Sequence, residues 1–197
     1  MFKIFAAYLV EKAGLNDKEL KQIEDLTVTK KLRKRQYLLQ EGDISDYRAF
    51  ITKGCLRMYY LSTDGIEHTI KFAVENWWIT DDESYNSGGP TKYNIDALEN
   101  SELLLIKKEN LNLLFNSIPK FRDLKDRLGI KRFEASQNRI LSSITETAEK
   151  KYDNFIRLYP QIYNRVPLHM VASYLGLSRE TLSRVRKKYA KYHSKDK

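Results

Sequence analysis

Hydrophobic and polar positions change rhythm twice along the chain. From Phe2 to Ala13 and from Asp17 to Asp25 the apolar residues recur at helical spacing. Asn16, with Glu19 three residues on, makes a capping-box signature ahead of the second run. Both helices are expected to pack onto the segment downstream of them. From about Val28 to Ile106 the texture becomes short runs of Tyr, Ile, Leu, Phe and Thr between turn signals. Glu41-Gly42-Asp43, Lys53-Gly54, Asp64-Gly65 and Gly88-Gly89-Pro90 are the breaks, and Gly65 supplies the positive φ that a tight hairpin requires. Arg48–Thr52 and Leu56–Leu61 read as strands around Lys53-Gly54. Tyr93–Leu98 and Glu102–Ile106 are expected to form a last hairpin around Glu99-Asn100. Many short strands at this spacing predict an antiparallel barrel or jelly roll.

After Lys107 the period is helical. Glu109 to Asn116 predicts a short helix, and Pro119 opens a long one, since proline is tolerated in a first turn. Phe121, Leu124, Leu128, Lys131, Ala135, Ile140 and Ile144 follow an imperfect three- and four-residue rhythm along it. Such a helix is longer than a small barrel covers. A coiled-coil-like seam with a second copy is the preferred reading, and a helix lying on the barrel is the alternative. Thr145 to Leu158 predicts a further helix with Ala148, Tyr152, Phe155 and Ile156 on one face. Pro160 ends it, and Pro167 opens the final segment. The fold class is therefore α+β, divided into a barrel with flanking helices over 1–118, a dimerisation helix over 119–144 and an all-α unit over 145–197.

That last unit carries the clearest chemistry. In Leu168 to Lys188, Val171, Leu175, Leu177, Leu182 and Val185 are apolar at helical spacing. Ala172 is small where two steeply crossing helices would touch. Gly176 can take the left-handed conformation that stops the first of them. Ser178 can cap the second, with Glu180 and Thr181 in its first turn. Arg179, Glu180, Ser183, Arg184, Lys187 and Lys188 then point outward, a set dense in groups that contact base edges and phosphates. The pattern is a helix-turn-helix with its recognition helix at about 178–189; an ordinary pair of helices with a solvated lysine-rich face is the plain alternative.

Charge sharpens this picture. The net charge is +9. From Arg165 to Lys197 there are nine Lys or Arg against two Asp or Glu, so most of that excess sits at the basic end. Double-stranded DNA is the partner this favours. A membrane surface fits less well, because the basic end has no separate apolar stripe to enter lipid, and no stretch approaches a membrane span. Cys55 stands alone, which rules out a disulfide framework, a thiolate zinc site and a cysteine-ligated cluster, and suits a cytoplasmic setting. Met1 to Val10 reads as a helix, not a signal peptide.

Ser178-Arg179-Glu180-Thr181-Leu182-Ser183-Arg184-Val185 resembles the recognition helix of the CRP/FNR family of bacterial transcription regulators. The resemblance covers nearly the whole chain: a cyclic-nucleotide-binding-like barrel, a long dimerisation helix and a C-terminal helix-turn-helix, in that order. It implies a homodimer on DNA and contact with RNA polymerase. It also implies that Arg179, Glu180 and Arg184 occupy base-contacting positions, with Ser178 and Thr181 near the phosphate backbone. The chemistry agrees, because arginine bonds guanine bidentately and glutamate accepts from cytosine. Family members usually carry a β-wing after the recognition helix. Here Tyr189 to Lys197 come next, and this polar tail is expected to touch phosphates instead.

The family's cyclic-nucleotide binders end their phosphate cassette with an Arg followed by Ser or Thr, the Arg neutralising the cyclic phosphate. The corresponding stretch here, about Asp81 to Asn94, has Lys92 followed by Tyr93 and no Arg. Asp81 and Asp82 add negative charge where the anion would sit. Glu83, Ser84, Thr91 and Lys92 are the candidate pocket residues. The expectation is no cyclic AMP and no cofactor, with the pocket either empty or open to an unidentified ligand. Asp81, Asp82 and Glu83 otherwise read as a solvated loop.

Two other classes compete. A sensing module without specific DNA binding would need only the barrel. A cupin-like metal enzyme would need clustered His and carboxylate ligands. The histidines are His68, His169 and His193, of which two lie near the C-terminus. Neither a phosphate loop nor a nucleophile elbow is present, so no enzyme activity is expected. Trp77-Trp78 could line a pocket or belong to a core or interface.

Overall fold

The computed structural model describes residues 1–193. Two helices, α1 (Phe2–Ala13) and α2 (Asp17–Asp25), precede six strands, β1 (Val28–Leu32), β2 (Tyr37–Leu39), β3 (Tyr47–Lys53), β4 (Leu56–Leu61), β5 (Glu67–Ala73) and β6 (Trp78–Ile79). A short helix α3 (Asp82–Ser87) leads to β7 (Tyr93–Ala97) and β8 (Ser101–Lys107). The helices α4 (Lys108–Ser117), α5 (Pro119–Thr145), α6 (Ala148–Leu158), α7 (Pro160–Tyr163), α8 (Leu168–Leu175) and α9 (Arg179–His193) complete the chain's order. The capping box before α2 forms as the sequence predicts: Glu19 N–H donates to Asn16 Oδ1 at 2.9 Å, and Asn16 N–H to Glu19 Oε2 at 2.8 Å.

The strands build two four-stranded antiparallel sheets, β1-β8-β3-β6 and β2-β7-β4-β5, stacked as a roll. The alternation of side chains assigns each strand two jobs. In the first sheet Ala49, Ile51 and Leu103 point into the roll and meet Leu56, Met58, Ile95 and Ala97 of the second. Phe50, Leu104 and Ile106 point out and are covered by α1, α4 and the start of α5. Burial on both faces explains why Ala49–Ile51 and Leu103–Ile106 read as unbroken apolar runs, without an alternating pattern. The Phe5 ring sits 4.5 Å from Phe50 and 5.4 Å from Trp78, so α1 and α2 pack on the roll as expected.

Asp64-Gly65 does turn a hairpin, with Leu61 opposite Glu67. The expected last hairpin is corrected. β7 pairs with β2 and β4 while β8 pairs with β1 and β3, so the chain crosses from one sheet to the other at Glu99-Asn100. The signals there are those of a tight turn. What decides the crossing is that the sheets bury different faces of β7 and β8, and that Leu98 N–H bonds Cys55 O at 2.8 Å across the corner. The predicted helix from Thr145 to Leu158 is also divided: Thr145 closes α5, and Thr147 caps α6 by accepting from Lys150 N–H.

A third apolar cluster joins the roll to the C-terminal helices. Cys55, Phe72, Val74 and Leu98 at one end of the roll pack with Tyr152, Phe155, Ile162, Val166, Val171, Ala172, Leu182 and Val185. Gly54 marks how closely the loops here approach. It has φ +110°, and a Cβ at this position would lie 2.7 Å from Ser101 Cα. Gly54→Ala should therefore destabilise the protein by at least about 1–3 kcal/mol, the range for a strained left-handed residue, measured by denaturant unfolding. Wild-type stability would show that this corner yields.

Candidate nucleic-acid interface

The helix-turn-helix forms from the residues that predicted it. Val171, Ala172, Leu182 and Val185 are buried, and Leu175 and Leu177 pack partly against them. Gly176 takes φ 66°, ψ 37° and ends α8, while Leu177 N–H bonds back to Ala172 O at 2.9 Å. Ser178 Oγ accepts from Thr181 N–H at 3.1 Å, capping α9. With this cap and turn set, one face of α9 stays outside. Ser178, Arg179, Glu180, Arg184, Lys187 and Lys188 are exposed, and Thr181 and Ser183 are half-buried along the same helix. Glu180 is held below the usual carboxylate range by a backbone hydrogen bond and by Ser178. Lys188 Nζ lies 3.3 Å from Glu149 of α6. α9 continues to His193, so Tyr189 to His193 belong to the same helix; the rest of the predicted tail, 194–197, lies outside the described residues.

Sequence reasoning missed how this unit is mounted. Ser173 on α8 accepts from Thr69 N–H at 2.8 Å and donates to Glu67 O at 2.9 Å, occupying the outer edge of β5. Arg165, between α7 and α8, donates to both carboxyl oxygens of Glu75 at 2.7 and 2.9 Å and reaches Glu99. Burial acts to raise the Glu75 carboxyl, but Arg165 and the Gly54 N–H outweigh it and hold it low. No local pattern announces these pairs, whose members lie 66 to 106 residues apart.

The four candidate pocket residues come together, but their polar atoms are largely occupied by one another and by neighbours. Asp81 is 4% exposed, so the expected solvated loop is corrected. Its carboxyl oxygens accept from Glu83 N–H at 3.0 Å, capping α3, and from Thr91 Oγ1 at 2.7 Å. Ser84 Oγ accepts from Ser45 N–H at 2.9 Å and donates to Gly89 O at 2.6 Å. Glu83 and Lys92 pair at the surface, 2.7 Å apart. Asp82 binds Arg48 at 2.9 Å and also Arg132 of α5. Trp77 and Trp78 serve packing: Trp78 sits among Phe5 and Phe50, and Trp77 lies 5.9 Å from Tyr159. His68 is an exposed strand residue, and no group of His, Cys, Asp and Glu able to hold a metal occurs among the described residues.

The long helix is corrected in its seam. Phe121 and Leu124 are buried in the chain's own core. The apolar residues left outside are Ile130, Phe133, Ile140, Leu141 and Ile144, from 59% to 76% exposed. Their spacing of three, seven, one and three residues is closer to a heptad seam than the expected series, which holds at Ile140 and Ile144 but counted Phe121 and Leu124 outward although both are buried. Beside this face a cleft of about 1910 Å³ runs between β5, α5 and α8. That exceeds the roughly 300–1,000 Å³ of small-molecule pockets. Among the described residues no helix is long and apolar enough to cross a membrane.

Residues 29–117 match the cyclic nucleotide-binding domain family. The Anaerobic regulatory protein of Pasteurella multocida (strain Pm70) is 28% identical over 183 residues, 87% of this chain and 66% of that protein, so the chain spans about two thirds of that relative's length. The Fumarate and nitrate reduction regulatory protein of Escherichia coli (strain K12) is 26% identical over 189 residues, covering 90% of this chain and 75% of that protein. Among solved structures, FixK2 from Bradyrhizobium japonicum superposes with a TM-score of 0.73 at 18% identity, over 85% of this chain and 86% of that one. The Thermus thermophilus Catabolite Activator Protein does so with a TM-score of 0.58 at 22% identity, over 94% and 88%. A cyclic nucleotide-binding roll, a long helix and a C-terminal helix-turn-helix follow one another in this chain, the fold of these solved structures. The chain is similar to these regulators over most of its length and shares their fold.

Lys71, on the cleft wall, offers a test of the packing around the interface. Its ammonium donates to Trp78 O at 3.3 Å, and burial, with Arg132 and Arg48 nearby, pushes its pKa down to about 8. Below that pH the ammonium is protonated in both folded and unfolded chains, and the cost of burying it is carried in full. The cost fades as pH rises from about 8 toward the ordinary 10.5. Lys71→Met should raise Tm at pH 7 by roughly 2–4 °C, with a smaller gain at pH 9.5. A lower Tm at pH 7 in a melting series would contradict this.

Proposed function

We propose that the protein regulates transcription as a homodimer that reads duplex DNA with α9 in the major groove. The observation that carries this is the exposed set of Arg179, Glu180 and Arg184 on a helix fixed by Gly176 and the Ser178 cap. Arg179 and Arg184 suit guanine edges and Glu180 suits cytosine, while Ser178, Thr181, Ser183, Lys187 and Lys188 suit the backbone and flanking contacts. Two copies pairing along Ile130, Phe133, Ile140, Leu141 and Ile144 would present two such helices to successive major grooves about 34 Å apart on a near-palindromic site. The size of the cleft beside α5 supports a partner helix as the neighbour of that face. Contact with RNA polymerase and a cytoplasmic setting complete the reading by family resemblance.

The roll is proposed to work without cyclic AMP. In the cassette the carboxyl of Asp81 takes hydrogen bonds from Glu83 N–H and Thr91 Oγ1, donors of the kind a cyclic phosphate would use, and Lys92 is spent on Glu83 at the surface. Any effector of the roll is then a different ligand.

Selection from a random duplex pool at two salt concentrations tests the reading: a two-fold symmetric motif is the expected outcome, with affinity falling steeply as salt rises. On that motif, Arg184→Ala should weaken specific binding by about 1–3 kcal/mol, and unchanged affinity would remove α9 from the major groove. Ile140→Glu, placing a charge in the seam, should give a folded monomer by light scattering and abolish binding to the palindrome; a dimer of wild-type mass would refute the seam. Excess cyclic AMP should leave Tm unchanged, whereas a ligand at about 100 times its Kd would add about 2.7 kcal/mol.

A further inference from the structure

Three connections of the roll meet the reading unit at one place. Glu75 lies between β5 and β6, Glu99 lies between β7 and β8, and Gly54, between β3 and β4, donates its N–H to Glu75 at 2.7 Å. The two carboxylates face Arg165. Its fork takes both oxygens of Glu75 and reaches Glu99, and the three side chains are only about one third exposed. Some distance along the same contact, Ser173 sits on the edge of β5 through Thr69 N–H and Glu67 O. Between these polar points lie rings: Phe72 is 5.4 Å from Tyr174, and Trp77 is 5.9 Å from Tyr159.

Apolar contact of this kind is strong but non-directional, so it holds the reading unit to the roll without choosing an angle. The polar points choose it. A bidentate guanidinium–carboxylate pair tolerates little rotation, and a hydroxyl that both accepts from and donates to neighbouring strand groups accepts one register along the strand. In the docked arrangement the outward residues of α9 remain exposed, so docking and reading are compatible.

We propose that Arg165, gripped by Glu75 and Glu99, is a latch that fixes the orientation of the helix-turn-helix on the sensor roll, with Ser173 as its register pin on β5. Its part in DNA recognition rests on the proposed reading of duplex DNA by α9. A dimer that must place two recognition helices at one spacing loses affinity in proportion to the time each unit spends out of position. A single half-site imposes no spacing and escapes that loss. The latch therefore governs binding to the full palindrome and spares binding to one half.

The test reads docking and DNA binding separately. Arg165→Ala and the double variant Glu75→Gln/Glu99→Gln are compared with wild type, and Arg165→Lys, which keeps the charge but not the fork, serves as the milder change. Docking is read as hydrogen exchange of the Thr69 amide, whose partner is Ser173. Binding is read on the selected palindrome and on a duplex carrying one half-site. Exchange at Thr69 should quicken about tenfold in the first two variants, and palindrome affinity should fall about tenfold with half-site affinity unchanged. Thr69 exchange as slow as in wild type would overturn the latch, whatever the DNA result. Faster exchange with full palindrome affinity would overturn its role in setting spacing. Should the wild-type protein bind no DNA, the exchange measurement still decides the latch, while the DNA-binding reading alone fails.

Discussion

The C-terminal helices do not enclose a core of their own, and much of the architecture stems from that. A unit this small buries too little apolar surface to offset the entropy of ordering it. Here Tyr152, Phe155, Ile162, Val166 and Val171 complete their core with Cys55, Phe72, Val74 and Leu98 of the roll. Separating the C-terminal helices from the roll would expose both sides of one apolar cluster. The roll's loops must then be shaped to receive it, which is why Gly54 comes so close to Ser101 and why two acidic connections stand beside the apolar end.

The long helix α5 obeys a second constraint of the same kind. Its first turns bury Phe121 and Leu124 against α1 and α4, while the turns after Gly129 leave five large apolar side chains outside. One straight helix cannot satisfy both sets on one face. The apolar stripe moves around the axis as the helix leaves the roll, passing from a contact within the chain to an exposed face. Its near-heptad spacing is the geometry that the proposed second α5 would fit.

How far the sequence could be read depended on how local each constraint was. Ala172, Gly176 and Ser178 each answer to neighbours within a few residues, so the helix-turn-helix was legible residue by residue. The capping box at Asn16 and the hairpin at Gly65 were legible for the same reason. Glu99-Asn100 announced a turn, but nothing local says which sheet the next strand joins, and the expected hairpin became a crossing. The seam failed more instructively. A three- and four-residue rhythm fits several faces of a helix, and only the packing of α1 and α4 decides that Phe121 belongs inside. Asp81 read as solvated because no partner for its carboxyl is evident nearby in the sequence; that partner is Thr91, ten residues away. Arg165 was visible only as one more positive charge, since both of its partners come from distant loops.

The cassette gives these observations a common direction. In a roll built to seat a small anion, the donors around the seat stay free until the ligand arrives. Here the Glu83 N–H and Thr91 hydroxyl already meet a carboxyl fixed to the same chain, and the Ser84 hydroxyl is tied to Ser45 and Gly89. A phosphate using those donors would compete with the Asp81 carboxyl for them, and a buried carboxylate left without them is costly. The segment is thus locked by its own residues, and Asp82 ties it to Arg132 of α5. The roll thus meets α5 on one side and the C-terminal helices on another.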